Sequence, residues 1–101
     1  MLTITQGPCQ AQLSPQRGAI VTSLKLDGVE ALYLDQATFD DPTKNVRGGI
    51  PVLFPICGPT TEPTYQWNGG QHALKQHGFA RTLEWQVVDL GRSYAVLEIE
   101  D

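Results

Sequence analysis

Apolar residues recur at every second position over short runs, and none of these runs sustains the three-to-four-residue spacing of an amphipathic helix. Leu2 and Ile4, then Ala11 and Leu13, alternate with polar neighbours and predict two short strands joined across Gly7-Pro8. Ser14-Pro15-Gln16-Arg17-Gly18 is turn chemistry, since proline presets one dihedral and glycine accepts positive φ. The clearest strand runs from Ala19 to Leu26, with Ile20, Leu24 and Leu26 sharing a parity. Asp27-Gly28 is a hairpin signal, and residues 29–34 return from it. This opening part reads as a meander of antiparallel strands.

The texture changes between Asp35 and Gly49. Asp40-Asp41-Pro42-Thr43-Lys44-Asn45 is polar and turn-rich and leads into Arg47-Gly48-Gly49. A connection of this length without structure of its own is uncommon in a compact domain and is often functional. Residues 50–56 are apolar apart from Pro51 and Pro55, which remove ladder donors and predict an edge strand or an extended segment. Tyr65-Gln66-Trp67 then meets an Asn68-Gly69-Gly70 turn. Trp85, Val87 and Leu90 precede the Gly91-Arg92-Ser93 turn, and Tyr94 to Ile99 forms the last strand. Trp85 reads as a core filler between strand-like apolar positions. The expected fold class is all-β, an antiparallel sandwich, and an exposed final strand offers an edge for self-association.

Composition narrows this picture. The 101 residues suffice for one small domain, taken here as 1–101, and not for two. Ten glycines and seven prolines spread along the chain agree with many turns. A formal net charge of -4 argues against nucleic acid or an anionic membrane as partner, so a bound phosphate would need a local cluster of cations. The only cysteines, Cys9 and Cys57, lack metal-ligand spacing and read as reduced thiols, and no metal or other cofactor is expected. With no basic leader and no apolar run near ~18 residues, the expected location is the cytoplasm.

Two places could carry chemistry. Arg47 lies between Val46 and two glycines that would let the backbone bend tightly and approach a ligand. Its guanidinium suits a phosphate or a pair of sugar hydroxyls, and equally a solvated loop. Gly48-Gly49 is not a phosphate loop, because the glycine-lysine pattern and the following helix are both missing. The second place is Gln76-His77-Gly78-Phe79-Ala80-Arg81. In an extended segment His77, Phe79 and Arg81 would share a face, with the imidazole and guanidinium roughly 13 Å apart. A bend at Gly78 would bring those heads closer. Tyr65 and Trp67 could stack on the apolar face of a pyranose, whereas His72 is a weaker candidate at a strand end. Asp40 and Asp41 are adjacent and make a poor acid/base pair.

Val46-Arg47-Gly48-Gly49-Ile50-Pro51-Val52-Leu53-Phe54-Pro55 and Gln76-His77-Gly78-Phe79-Ala80-Arg81 followed by Trp85, in this order, resemble the aldose 1-epimerase family, specifically its glucose-6-phosphate 1-epimerase branch. The resemblance runs from about Gly18 to Trp85. It implies a large antiparallel β-sandwich, galactose mutarotase-like, with the sugar site on a concave face. It also implies an isomerase that interconverts α and β anomers of a hexose or hexose 6-phosphate through the open-chain aldehyde. By position Arg47 and Arg81 match residues that hold the substrate, and Phe79 and Trp67 join them as candidate binding residues. His77, the candidate catalytic residue of this chain, matches a histidine that contacts and positions the sugar. Family members are nearly three times as long, and their acid and base lie in sequence beyond residue 101. The chain is therefore expected to be an N-terminal portion that carries substrate contacts without the acid/base pair. The alternative is a non-catalytic carbohydrate-binding β module built on Tyr65 and Trp67.

Overall fold

A computed structural model of the chain describes residues 1–58 and 76–100, together with the backbone of 64–67 and 70–73. Strands β1 (Leu2–Gln6), β2 (Cys9–Ser14), β3 (Ile20–Leu26) and β4 (Val29–Glu30) form one antiparallel sheet in sequence order. The register pairs Leu2 with Leu13 and Ile4 with Ala11, so the alternating apolar positions of the first two strands meet on one face. A bulge between Gln12 and Leu13 shifts the pairing onto β3, where Ser14 lies opposite Ile20. Asp27 and Gly28 both take positive φ, 54° and 82°, as a tight two-residue hairpin demands.

The return strand is shorter than the expected 29–34. After one more backbone bond, from Ala31 N–H to Leu24 O at 2.8 Å, the ladder gives way to a side chain: the Glu30 carboxylate accepts the backbone N–H groups of Leu24 at 2.8 Å and Leu32 at 3.2 Å. Those bonds and the Ser23 hydroxyl lower the Glu30 pKa, the hydroxyl contributing most.

The connection from Asp35 onward was expected to lack structure, yet it opens with a one-turn helix, α1 (Gln36–Asp40). The Asp35 carboxylate caps it by accepting the N–H groups of Ala37 at 3.0 Å and Thr38 at 3.3 Å. Residues 50–56 are extended, as the prolines predict. They touch the sheet through an isolated bridge from Ile50 to Val21 and reach Gly78 through another at Phe54. Strands β5 (Thr64–Trp67) and β6 (Gly70–Ala73) pair antiparallel, as do β7 (Gln86–Leu90) and β8 (Ala95–Glu98). The second hairpin hooks onto the first sheet where Thr5 N–H donates to the Arg92 carbonyl at 2.7 Å.

Buried apolar side chains among the described residues are Leu13, Pro15, Ala19, Ile20 and Ala80. They mark a junction where the end of β2, the start of β3 and the turn after Phe79 meet. Burying a side chain such as Ile20 contributes roughly 1.5–3 kcal/mol. Trp85 is half-buried beneath it, with its backbone N–H donating to Pro15 O at 2.8 Å and its indole N–H to Ala80 O at 2.9 Å. No helix among the described residues is long and apolar enough to cross a membrane.

Candidate functional site

Residues 76–82 depart from the extended geometry that the alternation suggested. His77 takes φ 65° and Gly78 φ 75°, Phe79 is helical, and Ala80–Thr82 close a 3-10 turn. His77, Phe79 and Arg81 therefore do not stand in a row on one face. The turn folds the segment back, and Arg81 Nη2 donates to the Gln76 carbonyl at 3.3 Å, next to His77. The bend at Gly78 thus lets the Arg81 guanidinium return to the backbone of the residue that precedes His77. Phe79 does not lie between them. Its ring meets Phe54 edge-on, with centroids 6.2 Å apart, while its N–H donates to Phe54 O at 2.9 Å.

His77 is held by a reciprocal pair. Its backbone N–H donates to Gly58 O at 2.8 Å, and Gly58 N–H donates to the imidazole Nδ1 at 2.8 Å. A nitrogen that accepts an N–H carries no hydrogen, so the neutral ring holds its proton on Nε2. Nε2 is thus the donor that His77 presents, 3.5 Å from the Gln76 carboxamide nitrogen.

Arg47 is fixed through its main chain. Its N–H donates to Thr38 Oγ1 at 2.9 Å, and its carbonyl accepts the Asp35 N–H at 2.8 Å. The glycines that follow have a structural task in place of the expected approach to a ligand. A Cβ on Gly48 would sit 2.2 Å from Tyr33 O, and one on Gly49 2.6 Å from Val21 O. They let the Arg47 segment lie flat against the sheet and leave the Arg47 side chain exposed. Trp67 ends β5 opposite Gly70, but its side chain lies outside the described residues, as do those of Tyr65 and His72.

A cavity of about 250 Å³ opens between these segments, lined by Arg17, Ile20, Lys44, Val46, Pro51 and Arg81, with Pro42, Thr43, Asn45 and Thr82. Arg81 is in its wall. From the Arg47 segment the wall takes Val46, and Arg47 itself stands outside. Two cations here were missed at the sequence level, Arg17 and Lys44. Arg17 passes for an ordinary turn residue, but its Nη2 lies within 3.0–3.2 Å of the carbonyl oxygens of Thr38, Asp41 and Lys44. No local signal announces partners more than twenty positions away. Among the described residues, the Nε atoms of Arg17 and Arg81 are buried without a hydrogen-bond acceptor. Asp41, beneath Arg17, has its pKa lowered chiefly by the Thr43 hydroxyl, then by the Thr43 N–H, with Arg17 adding a smaller pull in the same direction. The arrangement gathers three cations around one small polar cleft on a chain whose net charge is -4.

The whole chain, residues 1–101, matches the aldose 1-epimerase family. The chain belongs to that family. Over 71 residues it is 39% identical to a Cenchrus ciliaris protein provisionally assigned as a glucose-6-phosphate 1-epimerase, a match covering 69% of this chain and 18% of that one. Among solved structures, a Synechocystis protein superposes with a TM-score of 0.78 at 41% identity, over 87% of this chain and 31% of that one. A galactose mutarotase related enzyme from Lactobacillus acidophilus superposes with a TM-score of 0.75 at 27% identity, over 99% and 32%. This aldose 1-epimerase chain therefore has the β-rich, galactose mutarotase-like fold expected of it. It spans about a fifth of the length of the curated relatives it matches.

Proposed function

We propose that this chain supplies substrate contacts to an enzyme that interconverts the α and β anomers of a hexose 6-phosphate. The observation that carries this reading is the cluster of Arg17, Lys44 and Arg81 around one cleft, with Arg81 also bonded to the carbonyl that precedes His77, in a chain of this family. A chain of net negative charge attracts an anionic sugar only where cations are gathered locally, and the cleft gathers them. Arg81 offers the phosphate a planar fork, and Arg47 approaches the same ligand from the rim.

In the reaction a base removes the proton from the anomeric hydroxyl while an acid protonates the ring oxygen. The bond from C1 to the ring oxygen breaks, leaving an aldehyde. C1 then turns about the bond to C2, and the reverse steps close the ring on the other face. Protons balance within the pair, and no cofactor is required. His77 serves as a positioning donor through Nε2–H. To act as the acid it would need a hydrogen on Nδ1, where the Gly58 N–H already points. Acid and base come from outside these residues, so the chain alone turns substrate over slowly or not at all. Free thiols at Cys9 and Cys57 and a phosphorylated metabolite as substrate fit a cytoplasmic setting.

Titrating isotope-labelled protein with glucose 6-phosphate, and separately with glucose, tests the reading. The expected result is saturable shifts at Arg47, His77 and Arg81 that require the phosphate. Equal responses to neutral glucose centred on Trp67 would instead make the chain a carbohydrate-binding module, and no saturable response would leave it without a sugar site. Polarimetry on fresh α-glucose 6-phosphate is expected to show no acceleration by the 101 residues alone.

A further inference from the structure

We infer that Arg17 is a positioning residue for Arg47, acting through the loop at residues 38–44; the inference rests on the reading of Arg47 as a substrate contact. The carbonyls that Arg17 Nη2 reaches, Thr38 O at 3.0 Å, Asp41 O at 3.2 Å and Lys44 O at 3.0 Å, belong to the C-terminal end of α1 and the turn after it, where Asp41 O also accepts the Lys44 N–H at 3.1 Å. A cation there satisfies orphan acceptors that the helix itself leaves unpaired. One guanidinium thus ties three points of a polar loop that has few other anchors.

The tie passes to Arg47 through Thr38. The Thr38 hydroxyl donates to Asp35 O at 3.1 Å and accepts the Arg47 N–H at 2.9 Å, while Asp35 N–H returns to Arg47 O at 2.8 Å. Arg47 is thereby held at its N–H by the loop that Arg17 clamps and at its carbonyl by Asp35, the cap of α1. Arg17 is itself anchored on the other side. It ends the 3-10 turn Pro15–Arg17, and the next residue, Gly18, donates its N–H to Leu83 O at 3.0 Å, just past the Arg81 turn. The short turn therefore connects the two proposed substrate arginines, one through a side chain and the other through the main chain.

The test compares Arg17→Lys, which keeps the charge but loses the planar fork, with Thr38→Val, which removes the hydroxyl that holds Arg47. Hydrogen exchange of the Arg47 amide reports placement without any ligand, and is expected to accelerate roughly tenfold or more in both variants. Affinity for glucose 6-phosphate should fall on the order of tenfold in each, and the double variant should lose little more than either single one. Unchanged exchange at Arg47 in a folded Arg17→Lys protein overturns the inference, whatever the ligand does. Arg17→Lys keeps the charge that Arg17 lends the cleft. Additive losses of affinity therefore overturn the inference too, since they would mean that the Arg17 fork acts on the ligand without passing through Thr38 and Arg47. If the unmodified protein ignores glucose 6-phosphate while Arg47 exchange still responds to Arg17→Lys, the positioning stands and the substrate reading fails.

Discussion

Where β2, β3 and the turn after Phe79 meet, the chain is packed main chain against main chain. In the hairpin of β7 and β8 the packing is almost entirely lateral. The junction buries Leu13, Ser14, Ala19, Ile20, Thr22 and Ala80, and it brings Arg17 and Arg81 to one cleft. The hairpin leaves every residue of β7 exposed, with Val88 at 55% and Leu90 and Tyr94 at 50%. By sequence alone the hairpin is the more hydrophobic of the two. The difference teaches that close packing here comes from small residues and special backbone geometry, and apolar content is a poor guide to it. The apolar side chains of the hairpin stay at the surface of the described residues.

The sharpest way to break this comparison is to add one methyl group in each region. A Cβ on Gly78 would meet Phe54 O at 2.1 Å on a backbone with φ 75°, and neither side of that contact can move cheaply. Gly78→Ala is expected to cost about 3 kcal/mol or more, combining backbone strain with displacement of the Phe54 segment. Gly91→Ala also places a Cβ at 2.1 Å, but from the ring of Tyr94, a half-exposed side chain that can rotate away. Its cost should stay below about 1 kcal/mol. Denaturant unfolding of the two variants measures both, and equal losses would remove the distinction.

Side-chain truncation gives a smaller contrast. Ile20 is 3% exposed and walls the cleft, so Ile20→Ala should destabilise by about 2–4 kcal/mol and weaken ligand binding with it. Val88→Ala, in the open hairpin, should fall within about 0.5 kcal/mol of the parent. A large loss at Val88 would mean that the hairpin face is covered in solution.

The same contrast governs what could be read in advance. Alternation of Leu2, Ile4, Ala11 and Leu13 and the Asp27-Gly28 turn specified the first sheet, because strand period and turn chemistry are local signals. The β7–β8 hairpin was legible for the same reason. Helix α1 was not, since five residues cannot display a 3.6-residue period and only the Asp35 cap hinted at it. A bend at Gly78 was one of the two shapes the sequence allowed, and the choice between it and an extended run is made by the bonds to residues 54 and 58, which are remote in sequence. Arg17 was hidden because its partners are remote in sequence. His77 and Arg81 were singled out by the motif, while the 3-10 turn that carries Arg81 back to the Gln76 carbonyl had no local signal.

The smallest effect concerns pH, and it separates the loop over the junction from the rest of the molecule. The Asp41 carboxylate accepts the Thr43 hydroxyl at 2.6 Å and the Thr43 N–H at 2.9 Å, and its pKa lies below the ordinary 3.8. A depressed folded-state pKa means that the ionised form is favoured by folding. The contribution is therefore complete above pH 3.8 and is lost as pH falls below it, through the lowered value. The Thr43 amide resonance should titrate with a midpoint under 3.8, and Asp41→Asn should abolish that step while leaving the β7–β8 amides unaffected. Because Arg17 reaches the carbonyl of this same Asp41, the step should also shift upward in Arg17→Met, where the nearby cation is gone. A Thr43 titration at or above 3.8 in the parent protein would mean that the Asp41 turn does not hold the loop, and the clamp on Arg47 would lose its middle anchor.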